Sequence, residues 1–241
     1  MKNYVPVLDI PALYKSFNEP VTREDCGTMC SLHNPAGKPF CCDICQAVPV
    51  AYRQEWDYLA SHSDMWHEWR GDECAREPVD PKYLQSETPE HLKLLACRGP
   101  VHCSRNFRAI SCRQFPFFPY VTSDDRFIGL AYYWDYEPVC WVISHLDRVT
   151  PDFRREFVAT FDGIFNMWPD EFESYAVLSE EAREFFNGKR RRFPVLHRNG
   201  GFYLVSPGSE RMEKKPVEKI NRFGPYKGQN LPINGNFTDT Y

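Results

Sequence analysis

No apolar run in the 241-residue chain approaches the roughly 18 residues of a membrane-spanning helix. The opening stretch, MKNYVPVLDIPALYKSF, is broken by prolines and an aspartate and shows no small-residue cleavage site. A secretory signal is therefore not expected, and a soluble, cytoplasmic protein is. Neither sign of charge dominates. The 29 Lys and Arg against 33 Asp and Glu leave a net charge of -4, so no global pull toward nucleic acid or an anionic membrane is expected. The one basic run, KRRRF at 189–193, reads as a solvated helix end. There is no G-x-G-x-x-G, no phosphate-loop motif and no G-x-S-x-G, and HEWRG at 67–71 lacks the second histidine of a zinc-protease helix. No internal repeat is visible either.

What the sequence does hold is cysteine, ten of them, all within residues 26–140. In a reducing compartment five disulfides would not persist, and clustered thiols there bind metal or do redox chemistry. Two knots carry most of them: CGTMCSLHNPAGKPFCCDIC at 26–45 and CRGPVHCSRNFRAISCRQFPFFP at 97–119. Soft thiolate sulfur suits zinc and iron, provided several ligands converge. The expected ligands are Cys26, Cys30, Cys41, Cys42 and Cys45 from the first knot. Cys97, Cys103 and Cys112 come from the second, with Cys140 beyond it. Cys74 has no assigned role. Only Cys42 and Cys45 form a C-x-x-C, and the other spacings are long or irregular. That irregularity favours an iron-sulfur cluster, a four-iron form first, with zinc as the alternative.

A thiolate site is anionic, and buried negative charge is costly unless offset nearby. Arg98, Arg105, Arg108 and Arg113 surround the second knot, so one or two of them should hydrogen-bond to sulfur or bind an anionic substrate. His33 and His102 stand beside cysteines and are expected mainly outside the ligand set. Cys26-x-x-x-Cys30 opens like a radical S-adenosylmethionine triad, but His33 occupies the third position.

Two blocks of the chain carry a family resemblance. The first runs Cys26, Cys30, Cys41-Cys42 and then QAVPVAYRQEW with Glu55. The second runs Cys97, Cys103, Phe107, Arg108, Cys112-Arg113 and Phe115-Pro116. Together they resemble the zinc- or iron-chelating cysteine-cluster family of YkgJ type, over about residues 26–145. The resemblance implies that the second knot is a ligand loop closed by aromatic rings, with Arg108 and Arg113 at the cofactor. Flagellin lysine N-methylase carries the same type of cysteine block and is associated with an iron-sulfur cluster. Cys45 and Cys74 fall outside the family's pattern.

Around the knots the sequence predicts helices near 12–17, over Tyr52 to Trp69 and over ETPEHLKLLAC, the last delivering Cys97. FFPYVTSDDRFIGLAYYWDY reads as two strands around a polar turn. Thr150 should cap a helix that ends before Pro169, and Ser179 a second helix ending at Asn187-Gly188. FPVLHRNGGFYLVSP reads as a hairpin turning on Asn199, Gly200 and Gly201, followed by an arm with little core of its own. The expected fold is α+β: helices around a loop-rich cysteine core with a small antiparallel hairpin, then a helix-hairpin-arm extension. The boundary is drawn between 1–147 and 148–241.

The function expected first is a metal-binding protein whose centre is structural or carries electrons or metal. The alternative is an iron-sulfur-dependent modifying enzyme, such as a protein lysine N-methylase-like methyltransferase. A third reading is a redox-sensing or interaction module that holds a partner with its C-terminal hairpin and arm, binding that deletion of 206–241 should abolish. A protein substrate or redox partner is expected, and neither nucleic acid nor membrane.

Overall fold

Two aspartates start the fold. Asp9 accepts from Ala12 N ahead of α1 (Ile10–Ser16), and Asp25 accepts from Thr28 N ahead of α2 (Cys26–Ser31). Each satisfies an amide that a helix start leaves open. The structure, a computed structural model, describes residues 5–74 and 81–228. β1 (Val50–Tyr52) runs directly into α3 (Arg53–His62), and Glu55 reaches back to accept from Tyr52 N at 3.3 Å. The helix expected as far as Trp69 stops at His62. Extended backbone at Ser63 leads instead to β2 (Trp66–Glu68).

After α4 (Pro81–Glu87) comes β3 (Leu92–Cys97), where a helix was expected. β3 is the middle strand of an antiparallel sheet in the order β1-β3-β2. Leu94 and Ala96 pack with Trp69 on one face, while Leu95 enters the main core on the other. That alternation has the period of a strand, and partners on both edges take up the backbone groups.

α5 (Ile110–Gln114) precedes the expected hairpin of β4 (Phe117–Val121) and β5 (Phe127–Tyr132). Then follow α6 (Trp141–Ser144), α7 (Pro151–Met167), α8 (Pro169–Gly188), β6 (Phe193–His197), β7 (Phe202–Val205) and β8 (Met212–Lys214). Thr150 caps α7 as expected, accepting from Phe153 N. Phe153, Phe157 and Phe161, one helical turn apart, are fully buried. Each such ring stabilises the core by about 2 kcal/mol. Ser179 is no cap. It sits inside α8, where its hydroxyl donates to Tyr175 O (2.7 Å) and accepts from Val121 N (2.9 Å), tying the helix to β4.

The second sheet runs β4-β5-β6-β7-β8, all antiparallel. β5 pairs with β6, so the sheet crosses the boundary drawn at residue 148. The two expected hairpins are parts of one sheet, and one core cluster takes side chains from both sides of that boundary. The class is α+β. The expected arm is also tied down in part: β8 extends the sheet and Tyr226 is 1% exposed. Residues 229–241 lie outside the described residues. Among the described residues no helix is long and apolar enough to cross a membrane.

Candidate metal centre

The helix cap at Asp25 places Cys26 at the start of α2 and Cys30 one turn later, on the same face. A short 3-10 turn, Phe40–Cys42, presents Cys41 and Cys42 with their sulfurs 4.0 Å apart. β3 carries Cys97 at its end, opposite Trp66 of β2. The chain then turns at Gly99, whose φ of +92° a side chain would strain, into the loop bearing Cys103. Cys112 comes from α5, whose start is held because Ile110 N donates to Glu55 at 2.7 Å.

These segments surround a cavity of about 890 Å³. Cys26, Cys41, Cys42, Cys97, Cys103 and Cys112 all line it. Cys30 and Cys140 lie behind the wall, 6% and 5% exposed, hydrogen-bonded to each other. Trp141 N donates to Cys30 Sγ at 3.3 Å. The two distant knots therefore meet, with Cys140 joining from the start of α6.

The electrostatics are those of crowded thiols short of a counter-ion. Burial pushes Cys26 up to about 12, with the neighbouring Cys30 adding to it. Burial also raises Cys112 and Cys97, each made worse by the other sulfurs around it. The thiol of Cys41 hydrogen-bonds to Cys42 and holds it below the usual range, helped by Arg108 and Lys38. Cys140 acts in the same way on Cys30. Arg108 lines the cavity and its Nη2 donates to Cys103 Sγ at 3.3 Å.

Three expected site residues stand elsewhere. Cys45 is joined to Cys74 in a disulfide, so its sulfur is not a free donor. Arg113, 4% exposed, gives its guanidinium to backbone carbonyls: Phe17 O (2.6 Å), Arg105 O (2.8 Å), Arg108 O (2.7 Å) and Tyr14 O (3.1 Å). It braces the loop that holds Arg108 and does not face the sulfurs. Arg105 Nε likewise donates to Asn18 O. Arg98 does line the cavity and pairs with Asp64 at 2.8 Å. His102 is exposed, and the ring of His33 meets Tyr226 edge-on.

Sequence reasoning missed Lys38, Asp25 and Tyr226. Lys38 lines the cavity and pairs with Asp43 at 3.2 Å. Asp25, with Thr28 three residues on, is a readable cap signal. Tyr226 left no such signal: its hydroxyl donates to Val139 O (3.1 Å) and hydrogen-bonds to Cys30 across nearly the whole chain.

The donor set is sulfur alone, soft and cationically flanked, which fits zinc or iron-sulfur chemistry. Among the described residues no group of three or more His, Cys, Asp or Glu stands close enough to hold a metal ion. No protein-family model, curated protein or solved structure matches the chain.

Proposed function

We propose that the chain is a metal-binding cysteine-cluster protein holding an iron-sulfur cluster through the thiolates of its two knots. The observation that carries this reading is the gathering of six cysteines, from segments far apart in sequence, around one cavity. Burial raises Cys26, Cys97 and Cys112, and a cation that displaced their protons would offset the thiolates so formed. A volume of about 890 Å³ has room for several metal atoms with bridging sulfide, where one zinc ion would occupy a small part of it. When bound, such a cluster supplies one-electron transfer. Arg108, donating to Cys103 Sγ, is placed to offset negative charge on that sulfur and so to favour the reduced state. A protein redox partner and a cytoplasmic location belong to the same proposal. Of the cysteines, only the Cys45–Cys74 pair is bonded as an oxidising compartment would leave it.

A second reading, an iron-sulfur-dependent modifying enzyme of the lysine N-methylase-like kind, draws on the cavity's aromatic lining. Trp66, Phe115, Tyr133 and Tyr136 line it beside the sulfurs, which would give an apolar substrate side chain a place to lie.

Anaerobic purification followed by iron, zinc and acid-labile sulfide analysis tests the proposal. Iron with matching sulfide is the expected result. Zinc without sulfide would replace the cluster by a structural ion, and neither metal would sink both readings.

A further inference from the structure

Cys41 and Cys42 are neighbours both in the chain and in space. Their sulfurs lie 4.0 Å apart on the Phe40–Cys42 turn, and both side chains are half-buried on the cavity wall. Other sulfurs are placed differently. Cys30 and Cys140 are 6% and 5% exposed behind that wall, and the Cys103 sulfur takes the guanidinium of Arg108 at 3.3 Å. A reagent entering the cavity meets, at Cys41-Cys42, two thiols already in contact. The charges around it are Lys38, Arg98 and Arg108, and among the described residues Asp25 is the one acid in the lining. Such a lining favours an anion.

A bond between adjacent cysteines differs in kind from the Cys45–Cys74 bridge. Disulfides usually join Cα atoms about 4.4–6.8 Å apart, whereas consecutive Cα atoms stand about 3.8 Å apart across a trans peptide. A Cys41–Cys42 bond is therefore strained and readily reduced. Cys45–Cys74 ties together segments 29 residues apart, and a Cys41–Cys42 bond would tie none. Its effect is to take two sulfurs out of use.

We propose that Cys41 and Cys42 are a reversible oxidation site of the metal-free chain, closed to a vicinal disulfide by a small anionic disulfide such as oxidised glutathione. One thiolate attacks a sulfur of the glutathione disulfide, whose S–S bond breaks as the first glutathione thiolate leaves. The neighbouring thiolate attacks the protein sulfur of this mixed disulfide and expels the second. Two cysteine thiols are oxidised, one disulfide is reduced to two glutathione thiols, and the cysteine protons pass to them. Metal is held by thiolate, so the closed pair withdraws two ligands from the cavity. That consequence rests on the metal-binding reading, and the bond itself does not.

The test treats the full chain, chelated and reduced, with oxidised glutathione under anaerobic conditions, then blocks free thiols and maps the cysteines by mass spectrometry. The expected product is a peptide in which Cys41 is joined to Cys42, lighter by two hydrogens and distinct from the Cys45–Cys74 link. Either cysteine joined to a different one, glutathione retained on either, or both still free would overturn the inference. In Cys42→Ser the glutathione should stay on Cys41, because the sulfur that expels it is gone, and a free Cys41 would overturn the exchange. Reconstitution of the closed chain with ferrous iron and sulfide should lose most of the iron uptake, which dithiothreitol should restore. Equal uptake before and after dithiothreitol would overturn the withdrawal of ligands. No iron in either would overturn the metal-binding reading, while the mapped bond still decides the oxidation site.

Discussion

Glu55 shows how much a single side chain can do for the site without touching sulfur. It is 1% exposed and accepts from Tyr14 Oη and Ile110 N, both at 2.7 Å, and from Tyr52 N at 3.3 Å. Burial pushes its carboxyl up to about 7, against those hydrogen bonds and the charge of Arg113. The folded state then binds a proton that the unfolded chain releases at lower pH. The stability Glu55 contributes is complete below its ordinary range, near 4.5, and is lost as pH rises to about 7. The loss is about 3 kcal/mol. Urea midpoints from pH 4 to 8 should fall more steeply in wild type than in Glu55→Gln, and parallel profiles would show that Glu55 does not titrate there. Arg113 makes a related case. Its fork serves carbonyls from α1 and from the loop before α5, and a lysine cannot reach them all. Arg113→Lys should cost about 2–4 kcal/mol in denaturant unfolding and loosen the second knot. A loss below about 0.5 kcal/mol would mean the fork is dispensable.

At the scale of elements, the parts legible in the sequence are those whose signal is local. Thr150-Pro151 starts α7, the Asn199-Gly200-Gly201 turn closes β6 onto β7, and the polar stretch at 122–126 separates β4 from β5. The gathering of the cysteines was legible in outline, because no ordinary core explains so many thiols in so short a span. The parts that were not legible depend on partners distant in sequence. LKLLAC reads as helix until β1 and β2 take its edges, and Ser179 reads as a cap until β4 supplies Val121 N. Cys45 sits in a C-x-x-C that looks like a metal clasp, and its bond to Cys74, 29 residues on, follows from a fold no spacing announces. On the metal-binding reading, that bond should be separable from the proposed metal site. Closing a loop of this length stabilises by about 3 kcal/mol in the chain-entropy account. Cys45→Ala/Cys74→Ala should lose about that much and keep its metal in full, and loss of metal from the variant would return Cys45 to the ligands.

The molecule as a whole divides its sources of stability. The five-stranded sheet with α7 and α8 is held by buried rings, among them Phe117, Phe153, Phe161, Phe186 and Phe193, which owe nothing to sulfur. The cysteine segments are short helices, 3-10 turns and loops, with few fully buried apolar side chains of their own. Burial and the neighbouring sulfurs hold Cys26, Cys97 and Cys112 protonated, so on the metal-binding reading a cation would have to displace their protons before it gained these ligands. Uptake should therefore weaken as pH falls from 8 to 6. On the metal-binding reading, removing the metal would restore the protons but not the cross-links, and the loops would lose what joins them. Hydrogen exchange of chelated against loaded protein should speed up over 26–45 and 97–112 while 151–188 and 193–205 keep their protection. Acceleration spread evenly over both regions would mean that the sulfur centre stabilises the whole fold, and that the aromatic core does not stand without it.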